Sequence, residues 1–423
     1  MTPQAILAGF IALAALDLGW ALFLTLLNYR NAARHAGEVP EELGASVSAE
    51  EAVKSSAYSM ARMRLSFAAN PIGTLIVIAA AATGLFGLLD ARVGGLVAAP
   101  YWRGALFLGL LLLAQALLAS PFSLYSTFVL ERRYGFNTTK FGTWAFDAVK
   151  SALISVVLGL PLLYLLYAFI DGMGPLWWLW AAVIFSAINL VLSMIYPLVI
   201  APLFNKFTPL PEGTLRSRIE ELARRLEFRV SGIFVMDGSK RSKHSNAYFT
   251  GLGAFKRIVL FDTLVSSMSE DELLAVLAHE IGHEKRKHVL KMTAVSIAFS
   301  FLSFWALSVL MAWPELYAAF GFASPSKHAM LLILGLVSGP ATFFLAPAFA
   351  AWSRRHEYQA DAFAAAAAGV EPLCSALARL NRENAANLWP QKLYSAWYYS
   401  HPALRERLAA IRGARLDGAS GKQ

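Results

Sequence analysis

Cys374 is the only cysteine among 423 residues. A single thiol excludes an internal disulfide framework and a cysteine-rich zinc site, so any metal must be held by histidines and carboxylates. Charge is also sparse, at 15% of the chain, while hydrophobic residues make up 57% and mean hydropathy is positive. That balance excludes an ordinary soluble domain and indicates a membrane protein. Lys and Arg outnumber Asp and Glu by 37 to 28. The basic residues are scattered between apolar runs, which argues against nucleic acid as a partner and for a membrane surface. There is no internal repeat and no long low-complexity linker, only an expected frayed end at Gly418–Gln423. The first apolar run, Ile6–Leu27, lacks a basic leader and a small-residue cleavage signal and is too long for a signal peptide, so it reads as a retained span.

A bilayer core needs about 20 apolar helical residues. Seven stretches meet that requirement, centred on Ile6–Leu27, Thr74–Leu89, Gly104–Leu130, Ala152–Ile170, Leu176–Leu203, Val289–Trp313 and Met330–Trp352. Residues 30–70, 131–150, 206–289 and the tail from 351 carry 5, 4, 14 and 10 Lys or Arg, and the alternate connections hold few. Seven spans place every rich segment on one face, with the N-terminus outside or lumenal and the C-terminus cytoplasmic.

The organisation expected is spans one to five in residues 1–204, a catalytic segment in 205–288, spans six and seven in 289–352, and a C-terminal catalytic segment in 353–423. In the first catalytic segment, Pro211–Phe228 has helical periodicity, and Gly232–Met236, Ala247–Phe249 and Arg257–Phe261 read as short strands. Ser269 before Asp271 and Glu272 marks a helix start, and that helix is expected to run from Asp271 to Lys291.

This helix carries His279-Glu280-Ile281-Gly282-His283, an H-E-x-x-H pattern. Two histidines four apart lie about 40° from each other around a helix, so both can reach one zinc ion from the same side. Glu280, about 100° round from His279, sits beside the metal and can act as general base and then general acid. Catalytic zinc takes three protein ligands and keeps an open position. His288 would face away from the metal if the helix continued, and no metzincin spacing follows. The third ligand expected is Glu357, with Asp361 one turn further on orienting a ligand histidine. His356 reads as structural or surface. The set implies one Zn²⁺ per chain.

With these motifs in place, the sequence resembles the Ste24 or CAAX prenyl protease type 1 family of membrane metalloproteases, in the larger group that also contains the HtpX-like proteases. The matching pieces are Pro121-Phe122-Ser123-Leu124-Tyr125, Gly135-Phe136-Asn137, His244-Ser245-Asn246-Ala247-Tyr248-Phe249, His279–His283, Glu357–Asp361 and Ser400-His401-Pro402. The resemblance implies an all-α polytopic membrane protein, a seven-helix barrel around a water-filled chamber, with a small α+β zincin-like catalytic domain. It also implies endoproteolysis near the C-terminus of prenylated CAAX-type proteins. Position by position, it puts Asn246 at the substrate-facing edge of the site; its neighbours Ala247, Tyr248 and Phe249 then form an edge strand pairing with the peptide, where the alternative is an ordinary turn followed by a core strand. It puts His401 near the scissile carbonyl, where the alternative is a helix cap before Pro402. Arg407 falls at a structural position, suited to pairing with Glu357 or Asp361.

Two other readings stand beside this one. An HtpX-like quality-control protease would use the same chemistry on damaged membrane proteins. A transporter or structural membrane protein would use intramembrane groups such as Asp17 and Asn189 to line a pathway. The Ala- and Arg-rich composition favours a bacterial inner membrane over the endoplasmic reticulum. The partners expected are a peptide or protein substrate, prenylated if the resemblance holds, and the bilayer.

Overall fold

A computed structural model of the chain describes residues 1–250 and 256–420. The membrane half is built from α1 (Pro3–Arg34), α2 (Ala49–Ala82), α3 (Leu85–Leu96), α4 (Pro100–Tyr125), α5 (Phe141–Gly172), α6 (Trp177–Ile195) and α7 (Ala201–Phe204). After α4 and α6 the chain continues through π-turns at Ser126–Glu131 and Tyr196–Ile200. There follow β1 (Phe207–Pro209), α8 (Thr214–Arg225), β2 (Gly232–Met236), β3 (Ala247–Thr250), β4 (Arg257–Phe261), α9 (Asp262–Ser267) and α10 (Glu270–Lys285). The chain then returns to the membrane in α11 (His288–Met311), α12 (Pro314–Ala319) and α13 (Lys327–Phe343). It ends in α14 (Ala346–Ala368), α15 (Val370–Glu383), α16 (Lys392–Tyr398) and α17 (Leu404–Ser420).

Six helices are long and apolar enough to cross a membrane, and α13 with α14 makes a seventh span if that bent pair is taken as one. The spans touch in a closed cycle, α1 to α2, α4, α5, α6, α11, α13 and back to α1. Within the six unbroken spans, only 6 to 22% of the apolar window is buried inside the protein. A solid bundle would bury far more, so the ring is a wall one helix thick with lipid on its outer side.

Two expected spans differ in detail. The second is the α2 helix, which ends at Ala82, and the chain breaks at Gly84 (φ 71°) before α3, so Thr74–Leu89 is not continuous. The left-handed backbone there needs glycine. The seventh bends by 62° between α13 and α14. Pro347 lacks the amide hydrogen an uninterrupted helix would use, so it starts a new helix instead. Of the C-terminal end expected to fray from Gly418, residues 418–420 are helical within α17, and residues 421–423 lie outside the described part.

The four-stranded sheet among the described residues has the order β1-β2-β4-β3, with β2 and β4 parallel and the outer pairs antiparallel. The three expected strands are present, and β1 is an addition whose brevity left no alternation to read. Pro209 in β1 cannot donate to a further strand and blunts that edge. The β3 edge carries no such block. One core joins the sheet, α8, α10, α15 and α17, including Ile258, Leu260, Leu273, Leu277, Leu373 and Leu408. Leu43, Val47 and Ala52, from the start of the membrane half, belong to it as well.

The helix pair that positions the site is α10 against α14. Gly282 lies in their contact, where a Cβ would stand 3.2 Å from the Ala360 Cα and from Phe363. Gly282→Ala should raise helix propensity by about 1 kcal/mol while forcing α14 outward by a few tenths of an ångström. The expected result is an unchanged or higher apparent melting temperature in detergent with roughly tenfold lower peptidase activity, since small misplacements of reacting groups are expensive. Full activity would show that the close approach is not needed.

Candidate active site

The motif helix begins with a capping box: Ser269 Oγ accepts from the Glu272 amide at 3.3 Å, and the Ser269 amide donates to Glu272 Oε2 at 2.8 Å. These contacts satisfy two orphan donors and fix where the helix starts. His279 and His283 follow one turn apart on the face toward α14, with their Nε2 atoms 3.1 Å apart. Glu357, from α14, places Oε2 3.4 Å from His279 Nε2 and Oε1 3.3 Å from His283 Nε2.

These separations test whether a metal fits. Donors about 2.0–2.1 Å from a tetrahedral zinc ion are about 3.3 Å from each other. The histidine nitrogens are 3.1 Å apart, each faces a different oxygen of Glu357 at 3.3–3.4 Å, and one donor atom from each of the three residues lies within 4.8 Å of the others, a cluster compact enough for one ion. Glu357 is buried, and its Oε2 has no hydrogen-bond partner, an arrangement that a cation would satisfy. His279, His283 and Glu357 form the group of potential ligands found among the described residues.

Behind the donors lies a buried ion pair. Asp361 Oδ1 is 2.9 Å from His279 Nδ1, and Arg407 from α17 grips Asp361 through a fork with contacts of 2.8 and 2.6 Å. The same guanidinium reaches Glu357 at 3.7 Å. Burial opposes the charge on His279, but the Asp361 and Glu357 carboxylates beside it outweigh that and raise its pKa to about 9. Burial raises the Glu280 carboxyl above its ordinary value. A raised carboxyl pKa suits a group that must both accept and return a proton near neutrality.

His401 is mostly exposed, with Nε2 3.4 Å from Glu357 Oε1 and Nδ1 3.0 Å from Ser400 Oγ. It therefore stands at the open side of the site. The capping alternative for this residue is not seen, because Glu406 Oε2 accepts from the Ala403 amide at the start of α17. Asn246 is exposed just before β3, its Oδ1 accepting from the Ala247 amide at 2.9 Å. Its carbonyl accepts from Phe261 at 3.1 Å. Ala247 is buried, Tyr248 half-buried, and β3 packs against α10.

Two features were not legible in the motifs. The helix expected to run to Lys291 stops at Lys285, and the left-handed backbone of Lys287 (φ 56°) turns the chain before α11. His288 consequently returns to the site instead of facing away, with Nδ1 3.0 Å from His283 Nδ1 and Nε2 2.9 Å from Gln359. His356 is buried and stacks on His288 at 4.0 Å, so it is structural and not a surface residue. The second feature is a cradle for the loop before β3. His244 stacks on Phe136 at 4.4 Å and contacts Asn384 Oδ1 at 2.9 Å and Glu131 at 3.4 Å, while Glu131 accepts from the Tyr58 hydroxyl. Its members come from four separate stretches, so no local pattern could reveal it.

Comparison with known proteins agrees with this geometry. Residues 28–206 match the CAAX prenyl protease N-terminal family, described as five membrane helices, and residues 209–415 match peptidase family M48. The CAAX prenyl protease 1 homolog of Homo sapiens is 36% identical, with 94% of each chain covered. The chain belongs to peptidase family M48. It is a multi-pass integral membrane zinc metalloprotease. The CAAX prenyl protease 1 of Saccharomyces cerevisiae is 42% identical over 72% of this chain and 71% of its own. The crystal structure of S. mikatae Ste24p superposes with a TM-score of 0.91 at 34% identity, covering 97% of this chain and 99% of that one. The all-α membrane fold with a small sheet is thereby shared, and the transporter reading falls away.

The Arg407–Asp361 pair gives a stability prediction. Arg407→Ala leaves a buried carboxylate unpaired and should cost about 3–5 kcal/mol. Adding Asp361→Asn should recover part of that cost, so the double variant melts above the single one. A thermal melt of the four proteins in detergent measures this, and a single variant as stable as wild type would contradict it.

Proposed function

We propose that this metalloprotease cleaves near the C-terminus of prenylated CAAX-type proteins, releasing the residues after the modified cysteine. The observation that carries the reading is the near full-length likeness to the human CAAX prenyl protease 1 homolog, with 94% of both chains aligned. His279, His283 and Glu357 are assigned as the zinc ligands, supported by the close grouping of their donor atoms. When bound, zinc lowers the pKa of a coordinated water and polarises the scissile carbonyl. Glu280 takes the proton from the attacking water and returns it to the leaving amine. His401, at the open side beside Glu357, donates to the developing oxyanion. The substrate backbone pairs with the outer edge of β3, the last strand of the sheet among the described residues, with Asn246, Ala247 and Tyr248 fixing its register. Asp361 and Arg407 hold His279 in place from behind.

In this reading residues 205–288 and 353–423 act as the catalytic unit, and 1–204 with 289–352 form the membrane wall. The excess of Lys and Arg puts the catalytic segments and C-terminus on the cytoplasmic side, with the N-terminus outside or lumenal. The composition favours a bacterial inner membrane, whereas the relatives compared are eukaryotic, which favours the endoplasmic reticulum. The orientation is the same in both. An HtpX-like activity on unfolded membrane proteins is the second reading, because the same donor set would serve it.

The deciding experiment is cleavage of a farnesylated CAAX peptide by the purified protein. Wild type should cleave it, a chelator should abolish cleavage, and Glu280→Gln should reduce kcat by at least about 10²-fold while keeping one zinc per chain. Equal cleavage of the unprenylated peptide would transfer the assignment to the quality-control reading. No zinc-dependent cleavage of either peptide would sink the substrate assignment.

A further inference from the structure

The two histidines of the metal group are supported in different ways. His279 Nδ1 meets the Asp361 carboxylate at 2.9 Å, whereas His283 Nδ1 meets another imidazole, that of His288, at 3.0 Å. Hydrogen-bond polarity settles the rest of the chain. An imidazole that offers its Nε2 lone pair to a metal carries its proton on Nδ1, so His283 donates and His288 Nδ1 must accept. The proton of His288 is then on Nε2, 2.9 Å from the Gln359 side-chain oxygen, which can only accept. The His288 ring is buried and lies flat against His356, with an interplanar angle of 9°, so its plane is held as firmly as its donor and acceptor.

Each member comes from a different element: His283 from α10, His288 from the first position of α11, and Gln359 from α14 two residues beyond Glu357. The left-handed Lys287 makes this possible, because a continuous helix would carry His288 to the opposite face. A non-glycine residue in that conformation stores strain that the surroundings must compensate.

We propose that His288 is a positioning residue for His283, fixing its tautomer and ring orientation through a neutral His283–His288–Gln359 chain that opposes the charged Asp361–Arg407 support of His279. The proposal rests on the ligand assignment above. A neutral acceptor behind His283 leaves that ligand less basic than a carboxylate would, so the two histidine ligands are unequal donors.

The test uses the full-length protein in detergent and reads metal binding, so that a failure of the substrate assignment leaves it intact. Zinc affinity is measured by competition with a chromophoric chelator, and the ligand field by the visible spectrum of the Co²⁺-loaded protein. His288→Phe keeps the volume and the stacking but cannot accept a hydrogen bond. It should weaken zinc binding by about 10–100-fold and alter the Co²⁺ spectrum. His288→Asn, which can accept from His283 and donate to Gln359, should restore most of the affinity. Gln359→Met removes only the terminal acceptor and decides the matter if His288→Phe does not fold; it should weaken binding by several-fold and shift the same spectrum. Wild-type zinc affinity and an unchanged Co²⁺ spectrum in a folded His288→Phe, or in Gln359→Met, would overturn the proposal. Wild type that binds neither metal would overturn the ligand assignment itself.

Discussion

A metal held by side chains from two helices depends on how closely those helices approach. Here α10 and α14 meet at Gly282, where the facing Ala360 backbone and Phe363 side chain come closer than a methyl group would allow without a shift. That contact brings Glu357 to within 3.4 Å of both histidines. It also brings Asp361 onto His279 and Gln359 onto His288, whose ring in turn meets His283. The bend between α13 and α14 serves the same end, since it turns the last span out of the wall and directs its polar half onto the motif helix.

Burying so many ionisable groups would be costly without compensation. Asp361 is almost fully enclosed, and the fork from Arg407 supplies the opposite charge and two hydrogen bonds at once. The C-terminal helix is therefore part of the site, although it carries no ligand. The His288 and His356 rings stack on each other beside His283, so the first residue of α11 closes the site with ring surface. The Tyr58, Glu131 and His244 contacts tie the two halves together at the loop leading into β3.

The membrane class, the number of apolar stretches, the capped helix bearing His279, Glu280 and His283, and the short strands at Gly232, Ala247 and Arg257 were all legible in the amino-acid order. Each of these is written in local composition or periodicity, which physical chemistry ties directly to helix, strand or span. Spacing also made Glu357 and Asp361 a plausible pair on one helical face. How distant pieces converge emerged from the packing alone: the return of His288 through a left-handed Lys287, the burial of His356, the cradle around His244, and the break in the last span. A one-residue change of backbone hand reverses the direction in which a side chain points. Contacts between stretches far apart in the chain leave no periodic trace, so neither could be read until the helices had packed.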